Sequence, residues 1–370
     1  MLFRFILVNI FSFIKRFFAF NATIYNTIVF IPLFTVLTPT ISKRSLVFVI
    51  VFSLILLLTG NISSYGNFLM YFLLLLAIPM FRKVGFEDLL TRSFLFFILA
   101  SLYGISQKLF GYTPIEINWI KSGLSFADER EFITDDIRPF STFASMPEFT
   151  LFIAIYVYYF TTKKKYIYLI FAIVMLYIAG SRGVLLSTLV AYFFTFFIKH
   201  YNKKYLFLSF LASLTLFLFL VFLFPILFGS AETSSRMLAY GTFNGRVELL
   251  NRVLDQSSIS FLLTGLDLSG MELENTFDNI YFMLIAHFGL FGALYFLLFF
   301  VKHKIDKKNF YFLSIFLGYG FYADVVFSYY LMFLFFFAIY SHSDLLQDLN
   351  TYIADKLPGD EDKELRKSIC

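Results

Sequence analysis

Residues 148–199 read EFTLFIAIYVYYFTTKKKYIYLIFAIVMLYIAGSRGVLLSTLVAYFFTFFIK. Three apolar runs, 148–162, 166–180 and 183–199, are separated by Lys163-Lys164-Lys165 and by Gly180-Ser181-Arg182-Gly183. A helix needs roughly 20 apolar residues to cross the hydrocarbon core, and snorkelling lysines accommodate shorter runs. Outward from this stretch, further runs lie at 17–38, 45–60, 66–81, 93–110, 205–229, 278–301, 309–323 and 325–340. The pattern predicts an all-α fold, a polytopic membrane bundle of about 11 helices, with roughly 10 to 12 as the range. Residues 1–340 form this single bundle, and 341–370 form a polar tail.

Composition agrees. Of 370 residues, 59% are hydrophobic, 22% aromatic and only 15% charged, with mean hydropathy +0.78. A soluble domain carries about 25% charged residues, so a soluble enzyme and a disordered chain are both excluded. The lone Cys370 rules out intrachain disulfides and Cys-based metal sites. Four histidines and no acidic pair suggest no metal and no cofactor. Met1–Phe13 carries Arg4 and is followed by Lys15-Arg16, which is not the small-residue cleavage site of a signal peptide.

Loop lysines and arginines set orientation. Arg82-Lys83 with Arg92, Lys163-Lys164-Lys165, Lys199 with Lys203-Lys204, and Lys302, Lys304, Lys307 and Lys308 fall on one side, taken as cytoplasmic. Lys15-Arg16 and Lys43-Arg44 flank the first run on opposite ends, so the amino terminus is left without an assigned side. Parity then puts two long loops, near 111–147 and 230–277, on the outer face and the tail inside. Loops of this length are usually functional or disordered.

The outer face carries arginine: Arg130, Arg138, Arg182, Arg236, Arg246 and Arg252, with Lys121 as its lysine. Positive charge is disfavoured there. One reading is neutralisation by the acids near Arg130 and by Glu248 for Arg252; the other is anion binding through the guanidinium fork. Arg182 lies at the lip of the bilayer between flanking glycines, with Ser181 placed to cap the following helix. Snorkelling to headgroups is its bland alternative. Residues 244–254 read as an amphipathic surface helix that sets Arg246 in its first turn. Asp278-Asn279 stands at the boundary of the next run, where Asp278 is a candidate general base or simply a helix cap. His287 lies mid-run, as a packing or substrate-binding group. Trp119 sits in the membrane interface or stacks on a sugar. A tail helix near 345–353 has an apolar stripe.

In this order the landmarks resemble the O-antigen polymerase and O-antigen ligase superfamily of bacterial inner-membrane glycosyltransferases. The matching pieces are Arg138-Pro139-Phe140-Ser141-Thr142-Phe143, Gly180-Ser181-Arg182-Gly183-Val184-Leu185-Leu186, Gly245-Arg246-Val247-Glu248, Leu263-Thr264-Gly265, and Asp278-Asn279-Ile280-Tyr281 through Gly289-Leu290-Phe291-Gly292. They cover roughly 138–300. Asp278 stands where the ligases typically carry His, and His287 where they often carry Glu, which favours the polymerase branch. The resemblance implies a membrane glycosyltransferase (GT-C-like) fold. It also implies transfer of a growing glycan from undecaprenyl pyrophosphate to the terminal sugar of a new lipid-linked repeat unit. Asp278, Arg182 and Arg246 would then be catalytic, with Arg138, Arg252, Asn279, Arg236 and His287 binding substrate. A chain-length regulator and a flippase would share the membrane, and no nucleic acid is expected. The alternatives are a ligase and a flippase or transporter of lipid-linked oligosaccharide, though a transporter would place its charges deep in the bundle.

Overall fold

The computed structural model describes residues 46–47, 50–51, 53–54, 78–82, 84–121, 137, 139–143, 146–198, 202–218, 265, 280–301, 305–321 and 329–341. Among them the elements are helices, with no strand. In chain order they are α1 (Ile78–Phe81), α2 (Phe86–Arg92), α3 (Phe94–Phe110), α4 (Pro114–Lys121), α5 (Met146–Thr162) and α6 (Tyr166–Ile178). Then follow α7 (Arg182–Phe197), α8 (Lys203–Leu218), α9 (Ile280–Val301), α10 (Lys307–Tyr319) and α11 (Tyr329–Tyr340).

The core is α5, α10 and α11. Every residue of α5 from Glu148 to Phe160 is buried, as is every residue of α11 from Leu331 to Tyr340. α5 packs on α6, α7 and α11, while α10 packs on α7, α8 and α11. The seams are aromatic: Phe97 stacks on Tyr156 at 4.3 Å, and Phe86 sits on Phe337 at 5.4 Å and edge-on to Phe312 at 5.6 Å. Rings at such separations add to their burial energy.

The outer helices are apolar on both faces. α6 turns Leu169, Ala172, Met175 and Leu176 inward and Ile167 (81% exposed), Ile170, Val174 and Tyr177 outward. α3 buries Phe97, Ala100 and Gly104 and exposes Leu95, Leu99, Leu102 and Leu109. A helix facing water turns a polar side outward; these do not.

No single helix among the described residues is long and apolar enough to cross a membrane. The longest unbroken ones, α3 and α5, have 17 residues, about 25 Å at the α-helical rise. α2 and α3 together meet the requirement of length and composition, but they bend by 59° at their junction. Ser93 makes that junction: its hydroxyl donates to Leu89 O (2.8 Å) and lies 2.8 Å from the Tyr156 hydroxyl of the buried core helix. α9 runs for 22 residues but is broken at Gly289, whose φ is 64°. The backbone sets where α5 ends. At the foot of α5, Lys164 takes a left-handed φ of 54° and the Lys165 N–H reaches back to Phe160 O (2.8 Å), closing the last turn.

The lysine-bearing helix ends gather at one end of the bundle. Lys308 is buried, donates to Ser341 O at the end of α11, and lies 5.2 Å from the Phe86 ring. Lys307 Nζ sits 4.0 Å over Phe196, and partial burial holds its ammonium below the usual lysine range. Lys165 lies over Phe94 and Tyr159.

Within the first long loop the described residues are those from Gly111 through α4, Ile137, 139–143 and the start of α5. Trp119 is buried under Phe140, with ring centroids 6.0 Å apart. The first apolar run, the residues of the 230–277 loop other than Gly265, and the tail beyond Ser341 lie outside the described residues.

Candidate functional site

At the end of the bundle opposite the lysines, the chain turns through Gly111 into Thr113-Pro114-Ile115-Glu116. This is a capping box with proline at the first helical position. The Thr113 N–H donates to Glu116 Oε2 (2.8 Å) and the Glu116 N–H donates back to Thr113 Oγ1 (3.4 Å). The same carboxylate is only 2% exposed, and its other oxygen accepts from the Tyr103 hydroxyl (2.9 Å) and from Gln107 Nε2 (2.6 Å).

Gln107 carries the network further. Its Oε1 accepts the backbone N–H groups of Phe140 (3.1 Å) and Ser141 (2.7 Å). One turn position on, Lys108 Nζ donates to Ile137 O (3.0 Å). Ser141 holds a left-handed φ of 54°, and its hydroxyl donates to Ala100 O. Such a conformation costs a non-glycine residue about 1 kcal/mol or more, and persists where its surroundings enforce it. Below, Phe140 stacks on Tyr112 at 5.0 Å and Phe143 on Phe149 at 5.6 Å. The backbone on both sides of position 138 is therefore tied to the last turns of α3.

The second feature is the α6–α7 junction. Gly180 takes a φ of 73°, a turn that a Cβ would strain, and Ser181 is extended before Arg182 opens α7. Ser181 occupies the cap position, but its side chain makes no capping hydrogen bond, contrary to the expectation. The Leu185 N–H donates to Ser181 O (2.9 Å), so the N–H groups ahead of it in the first turn have no partner within the helix. Unpaired donors and the helix dipole favour an anion at such an end.

The third is the start of α9. The Ile280 N–H donates to Gly320 O (2.8 Å), and the Tyr281 hydroxyl donates to Leu317 O (2.6 Å). The Tyr281 ring packs on Phe321 at 4.7 Å and Phe210 at 5.7 Å. The helix entry two residues after Asp278 is thereby fixed to the end of α10.

Of the site residues expected from sequence, Arg182 is placed as the first residue of α7 and His287 within α9, each by its backbone. Arg138, Arg236, Arg246, Arg252, Asp278 and Asn279 lie outside the described residues. The Gln107–Glu116–Ser141 network was not foreseen, although Thr-Pro-Ile-Glu is a readable helix start. No family model, curated protein or solved structure matches the chain.

Proposed function

We propose that the chain is a multi-pass protein of a bacterial inner membrane that polymerises lipid-linked oligosaccharide repeat units at the outer face. The membrane reading is supported by helices that expose apolar residues on the side away from their partners, as α3 and α6 do. Short helices suit a bilayer when flanking residues and local thinning make up the length. Orientation is supported by the gathering of Lys165, Lys307 and Lys308 at one end of the bundle.

The observation that carries the enzymatic reading is the Gly180-Ser181-Arg182 junction. It supplies a guanidinium-bearing residue and an uncapped helix amino end at one place. In the proposed reaction the bond between the anomeric carbon of the growing glycan and its pyrophosphate oxygen breaks. A hydroxyl of the incoming repeat unit attacks that carbon and gives its proton to Asp278. The undecaprenyl pyrophosphate leaves with added negative charge, which Arg182 and Arg246 stabilise. Arg138, Arg236 and Arg252 hold the carrier phosphates, and Asn279 and His287 contact sugar. A metal or nucleotide is not required. A flippase and a chain-length regulator act beside it in the same membrane.

Depleting the protein in cells that make a surface polysaccharide tests this. Glycan ladders should collapse to single repeat units that still reach the outer face. Single units that no longer reach that face would favour a flippase, and intact ladders left unattached to their final acceptor would favour a ligase.

A further inference from the structure

We infer that the α5–α6 turn, with the flank of α3 that it meets, binds an anionic glycerophospholipid of the lysine-side leaflet. The lipid phosphate lies against Lys163, Lys164 and Lys165, and an acyl chain follows α3 and α6. The inference rests on the membrane reading above and is independent of the polymerase reading. The first observation is charge without a counterion. All three lysines are exposed, and among the described residues none of them is ion-paired. The sequence holds no Asp or Glu from Phe149 to Ala231. The acid of α5, Glu148, is buried at the opposite end of that helix. On α2, Asp88 is paired with Arg92 (2.9 Å) and Glu87 is buried.

The second observation is that the turn is held in shape. Lys164 has its left-handed φ of 54°, and the N–H groups of Lys163 and Lys165 donate to Tyr159 O (3.0 Å) and Phe160 O (2.8 Å). Lys165 Nζ stands 5.8 Å from the centroid of Phe94 and 5.7 Å from that of Tyr159. A cation already held on two rings loses less freedom when an anion arrives. The third observation is the apolar flank that starts at the turn. Tyr168 meets Phe94 at 5.0 Å and Phe171 meets Phe97 at 6.0 Å, so α6 and α3 lie against each other. Leu95 and Leu102 on α3, and Ile167 and Val174 on α6, are exposed. Tyr166, also exposed, stands between the lysines and this flank, at the level aromatic side chains favour in a bilayer. A cationic cluster heading an apolar strip fits a molecule with an anionic head and a long chain, and fits a free anion or an acidic peptide less well.

The test uses the full chain purified in mild detergent, with binding of added phosphatidylglycerol or phosphatidylcholine followed by native mass spectrometry. Wild type should hold phosphatidylglycerol at least about tenfold more tightly than phosphatidylcholine. K163Q/K164Q/K165Q should weaken phosphatidylglycerol binding by at least about tenfold, while K163R/K164R/K165R, which keeps the charges, should stay within about threefold of wild type. Thermal unfolding checks that each variant is folded; if the glutamine triple variant is not, Lys165→Gln alone should show a loss of about fivefold. K203Q/K204Q removes two exposed lysines on α8 and should leave the affinity within about twofold. Glycerol 3-phosphate in large excess should not displace the lipid. Equal affinity for the two lipids overturns the site. So does a loss from K203Q/K204Q as large as that from the triple variant, because the attraction then belongs to the whole face. Displacement by glycerol 3-phosphate overturns the lipid in favour of a free phosphate. Wild type that a carbonate wash releases from membranes overturns the membrane reading and the lipid site with it. Protein that stays in the membrane yet does not discriminate between the lipids overturns the site alone.

Discussion

Arg182→Lys is expected to cut polymer formation about 100-fold at unchanged protein level, the scale of losing one preorganised donor to a developing oxyanion. The substitution keeps the charge and a long flexible stem, so a residue that merely snorkels to headgroups tolerates it. It removes the planar fork that pairs two phosphate oxygens at once. Arg182 opens α7 after the Gly180 turn, so the first N–H groups of that same helix end are placed toward the same anion. Arg246→Lys and Asp278→Ala belong to the same series: under the proposed reaction the first would weaken the grip on the leaving group and the second would remove the proton acceptor. The reading is glycan chain length together with the pool of lipid-linked single units. Unchanged chain length in all three variants would remove these residues from the chemistry.

Gly320→Ala is expected to be the most damaging of the small structural substitutions. The backbone there is ordinary, with φ −56°, so the issue is space alone. A Cβ would lie 2.2 Å from Ile280 Cγ2 and 3.2 Å from Phe316 O. Overpacking a filled site costs about 1–3 kcal/mol, and here it also pushes apart the pair joined by the Ile280 N–H and Gly320 O. Ile280→Ala alone costs about 2–4 kcal/mol through its cavity. The double variant should melt well above the sum of the two losses, because each change relieves the other. Thermal unfolding of the purified protein measures this, and a Gly320→Ala protein that melts with wild type would contradict the close approach of α9 and α10.

Charge and hydropathy made most of the helical layout readable. Lys163-Lys164-Lys165 marked a turn between α5 and α6, and Gly180-Ser181 marked the next, because each residue type has a local physical cost inside a helix. Where helices end was less readable. The apolar run 93–110 does begin at the Ser93 junction, but hydropathy does not show that Phe86–Arg92, with Glu87, Asp88 and Arg92, is itself a helix bent by 59° against α3, nor that Ser93 meets Tyr156, 63 residues away in the chain. The pairing inside the first long loop was not readable for a similar reason. Thr113-Pro114-Ile115-Glu116 announces a helix locally, but the bonds from Gln107 to Phe140 and Ser141 span 33 and 34 residues. No periodicity encodes such a pairing. Trp119 lies buried under Phe140, whose backbone N–H is held by that same pairing.

Purified protein in liposomes, supplied with an undecaprenyl-pyrophosphate-linked repeat unit, should release one undecaprenyl pyrophosphate for each glycosidic bond formed, with products growing as a ladder. Repeat units that cross the bilayer or remain unjoined, with no carrier pyrophosphate released, would contradict it.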